Sequence, residues 1–149
     1  MKLDETNKAI IKELSNGRKA FSSIAEKIGI TENTVRSRVN KLVEDGVLQI
    51  SGLVNPQYIP EMQVVVMGVK LGTLDLEDKA KEMLKLKGVI SVMVVTGRYD
   101  LIVQVVTSSN DDQSLLNFFK NELSKIKGIS DVETFVVYQS HNYMIPYIL

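Results

Sequence analysis

Two observations predict an α+β chain built in two parts. Up to Gly46 apolar residues recur every three or four positions, the spacing of amphipathic helices, whereas beyond it valine-rich extended runs alternate with helical stretches. Pro56 and Pro60, with polar Gln57 and Glu61 beside them, punctuate the change. The expected plan is a winged-helix-like helix-turn-helix head over residues 1–46, a strand and linker over 47–61, and a βαββαβ domain over 62–149.

In the head, Asp4 is a good N-cap for a first helix that runs to about Ser15, buries Ile10, Ile11 and Leu14, and ends at Asn16-Gly17. Ser22 or Ser23 is expected to cap a second helix, since Ser23 and Glu26 stand at capping-box spacing. Gly29 takes the tight turn that follows. Thr31 then caps a third helix from Glu32 to Asp45-Gly46. Ile24, Ala25, Ile28, Gly29, Ile30 and Val35 match the helix-turn-helix arrangement, in which a small alanine lets two helices approach.

The third helix carries the chemistry. Val35, Val39 and Leu42 stack on one face at roughly 100° per residue, and that face is buried. The opposite face presents Asn33, Ser37 and Asn40, flanked by Arg36 and Lys41, so donors and acceptors point outward with positive charge. Such a face suits the base edges and phosphates of duplex DNA. Asn33, Thr34, Arg36, Ser37, Arg38, Asn40 and Lys41 are the candidate DNA-binding residues. Arg38 stands at the border of the buried stripe, where it either braces the helix pair or meets a phosphate. The plain alternative is a solvated amphipathic face; the helix and turn before it favour the DNA reading.

After Gly46, Val47, Leu48, Ile50, Leu53 and Val54 read as an extended strand and linker. The second domain opens with a strand at Met62–Leu71. A helix follows at Asp75–Leu86, capped by Asp75 and burying Leu76, Ala80, Met83 and Leu84. Strands at Val89–Thr96 and Leu101–Thr107 flank the turn Gly97-Arg98-Tyr99-Asp100. A second helix spans about Asp111–Ile126 with Leu115, Leu116, Phe119 and Leu123 inward, and a fourth strand covers Val132–Gln139, with a fifth in the tail. Leu86-Lys87-Gly88-Val89 is echoed by Ile126-Lys127-Gly128-Ile129, each at a helix end before a strand, which implies two βαβ halves of a ferredoxin-like sandwich. One sheet face is covered by the helices. Val, Met and Ile on the other face predict that a second copy covers it, giving a homodimer.

Net charge is zero, but 9 basic and 7 acidic residues fall in 1–60 against 9 and 11 in the remainder, and residues 33–43 hold three basic side chains and no acid. So small a patch binds DNA weakly alone, and useful affinity calls for two copies on one partner. With no cysteine and the single His141, thiolate and histidine-cluster metal sites are excluded, and no metal or cofactor is expected. The longest apolar runs fall far short of the ~20 residues that span a bilayer, and MKLDETNK lacks a signal-peptide core, so no membrane partner and a cytoplasmic location are expected.

Taken together, LDETNKAIIKEL, SSIAEKIGITENTVRSRVNKLVEDGVL, the linker SGLVNP and the turn TGRYDL resemble the Lrp/AsnC family of feast/famine transcription regulators, over essentially the whole chain. Arg38 stands where that family tends to place arginine, and Asn7 where it often has an acid. The resemblance implies dimers formed through the C-terminal sheets, assembly of dimers to octamers, and a small effector, often an amino acid, bound between dimers. It implies an effector site at Gly97, Arg98, Tyr99 and Asp100, with Thr134 from the last strand, where Val132 replaces a residue that relatives often have polar. On the residues alone a plain hairpin turn is the preferred reading, and the resemblance reverses that preference; in the effector reading, Gly97 permits close backbone approach and Asp100 offers a carboxylate to an α-ammonium group.

An enzyme is not expected. There is no phosphate-loop or dinucleotide glycine pattern, and the acid pairs Glu77-Asp78 and Asp111-Asp112 sit at expected helix starts, where the helix dipole favours them. A head that docks on a partner protein, or an effector-independent DNA-organising protein, is the rival to a regulator.

Overall fold

The computed structural model describes residues 3–109 and 111–148, without the side chain of Asp111, so the acid pair at 111–112 lies partly outside the described residues. The chain divides into two compact units, Met1–Ser51 and Gly52–Leu149, parting inside the stretch expected to be linker.

The first unit is three helices, α1 (Glu5–Glu13), α2 (Phe21–Ile28) and α3 (Glu32–Glu44). Asp4 caps α1 by accepting the Asn7 N–H at 2.7 Å. Gly29 ends α2 at φ 72°, a left-handed conformation costly for any side chain. Thr31 caps α3 through the Thr34 N–H at 3.2 Å. The expected serine cap of α2 is not formed: its N-cap is Ala20, without a side-chain bond. The helix starts early because Phe21, its first residue, packs against the head core of Ile10, Ile24, Ala25, Val35 and Val39. Of these, Ile10, Ile24, Val35 and Val39 contribute about 1.5–3 kcal/mol each. Glu13 adds a clasp that its sequence position does not announce: its carboxylate meets Lys19 and, at 2.6 Å, Lys27, tying the end of α1 to α2.

No strand forms over Val47–Ile50; Leu48 instead joins the head core, and only Leu53–Val54 (β1) is extended. Pro56 is buried in a short turn, Pro56–Tyr58, that belongs to the second unit.

The second unit is built on β2 (Met62–Leu71), α4 (Leu76–Leu84), β3 (Val89–Val94), β4 (Leu101–Ser108), the three-residue α5 (Leu115–Asn117), β5 (Ile129–Val136) and β6 (Ile145–Pro146). β3, β4, β2 and β5 form an antiparallel sheet in that order, the ferredoxin-like arrangement, while β6 pairs with β1. Val65, Met67 and Val69 stand opposite Val105, Val103 and Leu101, and this face buries against Met83, Leu86, Phe118, Leu123 and Ile126 from the helical layer. On the other face Ile145 packs against Met62, Val64 and Val106, so the tail covers one end. Towards the other end Met93 and Phe135 remain 43% and 49% exposed.

Two inward assignments differ from expectation. Leu84 is exposed, since α4 ends there and the following turn brings Leu86 inward instead. The expected helix over 111–126 is broken into a 3-10 turn, α5, a π turn at Phe118–Glu122 and a second 3-10 turn. The π turn shifts the helical phase, so Phe118 is buried while Leu116 is 62% exposed.

Candidate nucleic-acid interface and ligand turn

The reading face of the head follows from the amphipathicity of α3. Val35, Val39 and Leu42 are buried, and Asn33 and Thr34 before them and Arg36, Ser37, Asn40 and Lys41 between them are exposed. Shallow concavities flank the helix, one lined by Asn33, Ser37 and Lys41 with Asp4 and Asn7 of the first helix, the other by Arg36, Asn40 and Glu44.

The three basic side chains are not equivalent. Arg38 is half-buried and turned towards α1, donating to the Asp4 carboxylate at 2.6 Å and to the Asn7 amide oxygen at 3.0 Å. Bonding to that guanidinium holds the Asp4 carboxyl below its ordinary value. Arg38 is therefore a brace between helices, and of the two roles open to it from sequence the geometry selects this one. Arg36 pairs with Glu32 at 2.7 Å and lies 5.4 Å from the Phe21 ring centroid, yet stays 55% exposed. Among the described residues Lys41 forms no ion pair. One head thus offers one or two cations to phosphates, and its middle offers neutral amide and hydroxyl groups.

In the second unit the segment between β3 and β4 is closed by the Val95 N–H on the Asp100 carbonyl at 2.9 Å. Gly97 has φ 122°, and the space where a Cβ would stand is open, so its glycine serves the backbone angle and not close packing. Asp100 straps the turn to the sheet: its backbone N–H donates to the Val69 carbonyl, and its carboxylate accepts the Leu71 N–H at 2.8 Å and the Lys70 ammonium at 2.9 Å. The Leu71 N–H, then Lys70, hold its carboxyl below the ordinary value. The carboxylate expected to stand free for an α-ammonium group is already engaged.

Tyr99 lies flat on Gly68, where an added Cβ would come within 2.6 Å of the ring. The Arg98 guanidinium covers that ring at 5.3 Å and stands 3.4 Å from the Glu133 carboxylate. Glu133 is opposite Gly68 in the sheet, whereas Thr134 is opposite Met67, on the helix-covered face. The strand therefore brings Glu133 to the turn's side chains, and Thr134 points the other way because neighbours in a strand alternate. Gly68, alone in a valine-rich strand, is the signal that marks this close approach.

Among the described residues no acidic or histidine group could hold a metal, and no helix is long and apolar enough to cross a membrane.

Comparison with known proteins divides the chain as the structure does. Residues 3–43 match the model of the AsnC-type helix-turn-helix domain, and residues 64–145 that of the Lrp/AsnC ligand binding domain. PH0140, an uncharacterised HTH-type transcriptional regulator of Pyrococcus horikoshii, is 33% identical over 139 residues, spanning 92% of this chain and 87% of its own. The crystal structure of PH0061 matches with a TM-score of 0.78 at 21% identity, over 97% of this chain and 99% of that one. The transcriptional regulator NMB0573 from Neisseria meningitidis, in a complex with L-Met, matches with a TM-score of 0.68 at 20% identity, over 95% and 94%. At these identities the two structures speak for the fold alone. The two family matches and the Pyrococcus relative settle the rest: the chain belongs to the Lrp/AsnC family of helix-turn-helix transcriptional regulators, which are not enzymes.

Proposed function

We propose that this regulator reads duplex DNA through the outer face of α3 and changes its assembly when a free amino acid binds at the Gly97–Asp100 turn. Asn33, Ser37 and Asn40 read base edges, with Thr34 at the helix start, while Arg36 and Lys41 meet phosphates. Two heads, carried by a homodimer formed through the helix-free sheet face, enter successive major grooves about one helical turn apart. Dimers assemble further to octamers. Target genes are those of amino-acid metabolism and the regulator's own promoter.

The observation that carries the reading is the turn itself. It lies within the segment matching a ligand binding domain, and it is strapped to β2 by Asp100 while Arg98 and Tyr99 reach over the sheet face the second copy would cover. A ligand there touches both its own site and the assembly contact. The L-Met held by NMB0573 supports an amino acid as the effector class. An effector shifts assembly only by binding one assembly more tightly than another.

Sedimentation of the full chain with each of the twenty L-amino acids tests the effector half of this reading. At least one should change the sedimentation coefficient; no change with any of them overturns it. Affinity for duplex DNA should fall linearly in log K against log salt, whereas docking on a protein partner would leave duplex binding absent.

A further inference from the structure

The Glu133 Oε2 atom is buried without a hydrogen-bond partner, although a carboxylate oxygen is a strong acceptor. Its nearest cation, Arg98, stands at 3.4 Å, too long for a charge-assisted hydrogen bond, and is itself 74% exposed. That same guanidinium rests on the Tyr99 ring at 5.3 Å. A carboxylate beside an aromatic face is the chemistry that recognises an ammonium group. Here the position is taken by a side chain of the turn, held by one long ion pair and one ring contact.

Asp100, the other acid at the turn, has a backbone N–H and the Lys70 ammonium on its two oxygens. Its geometry serves the strap. Glu133 has the unfilled acceptor, and the sheet register fixes it opposite Gly68, under the Tyr99 ring.

We propose that Glu133 and the Tyr99 face form the seat for the α-ammonium group of the effector amino acid, and that Arg98 occupies this seat as an internal stand-in until the ligand displaces it. This rests on the effector reading above. Released from Glu133, Arg98 is free to meet the ligand's carboxylate, so one amino acid exchanges a weak internal pair for two oppositely charged contacts. The exchange moves a cation on the face proposed to meet the second copy.

Isothermal titration of the full chain with each of the twenty L-amino acids identifies the binder, and its Nα-acetyl derivative then removes the ammonium charge. The acetylated form should fail to bind, Glu133→Gln should weaken binding at least tenfold with an unchanged melting temperature, and Arg98→Ala should not weaken it to the extent of Glu133→Gln. Should Glu133→Gln fold poorly, the acetyl arm decides. An acetylated ligand that binds as well, a Glu133→Gln protein with wild-type affinity, or an Arg98→Ala protein as weak as Glu133→Gln overturns the seat while leaving the effector reading standing. Failure of every amino acid to bind overturns both.

Discussion

At the scale of single residues, the decisive facts are which charges are already spent inside the chain. Arg38 sits on the helix proposed to read DNA, yet its guanidinium is committed to Asp4 and Asn7, so the proposed phosphate contacts fall to Lys41 and Arg36. Lys41→Ala should therefore lower the slope of log K against log salt by about one per head, while Arg38→Ala should leave the slope alone and lower the melting temperature of the head. A fall in slope for Arg38→Ala would return that residue to the phosphates. Asp4, Glu13 and Asp100 all carry carboxyls held below the ordinary 3.8 or 4.5, by Arg38, by Lys19 and Lys27, and by the Leu71 N–H and Lys70. A lowered folded value means the unfolded chain takes up protons first as pH falls. Their stabilisation is thus complete above the ordinary values and disappears as pH drops through the lowered ones. Thermal unfolding should be insensitive to these groups from neutral pH to about 5 and decline below about 4, and Asp100→Asn should flatten part of that decline. Gly68→Ala should destabilise the second unit by displacing the Tyr99 ring, and Tyr99→Ala should relieve much of that loss in a double-mutant cycle.

At the scale of elements, the sequence pattern located most segments and misjudged the helical phase of one, the stretch 111–126. The strand Met62–Leu71 matches its expected bounds because ten residues rich in valine admit few alternatives, and α3 has both a threonine cap and a glycine stop. The second helix misled because Ser23 and Glu26 have capping-box spacing, but the burial of Phe21 decides where the helix begins. The π turn at Phe118–Glu122 has no comparable sequence mark: Leu115, Leu116, Phe119 and Leu123 fit an ordinary helix as well as the residues that are buried. That difference is measurable. Phe118→Ala should cost about 3–5 kcal/mol of stability and Leu116→Ala less than about 0.5 kcal/mol, where an unbroken helix with Leu116 inward would make the leucine change costly. The turn shows the same limit: Gly97–Asp100 was legible from its residues, but the Glu133 acceptor depends on strand register, which local sequence does not reveal.

At the scale of the whole molecule, zero net charge conceals a division of labour. The head is slightly basic and the second unit slightly acidic. With few free cations per head, binding energy and selectivity in the proposed reading rest on paired heads and on neutral side chains at base edges, so DNA affinity is predicted to depend on assembly, the quantity an effector at the turn would control. In the proposed reading, Ser37 and Asn40 on α3 supply sequence selectivity. That assignment is tested most directly by selecting a preferred duplex from a random pool and comparing wild type with the Ser37→Ala/Asn40→Ala protein on that duplex and on a scrambled one. The expected result is that the double variant binds both duplexes alike, with its oligomeric state unchanged. An intact preference for the selected duplex would contradict the assignment.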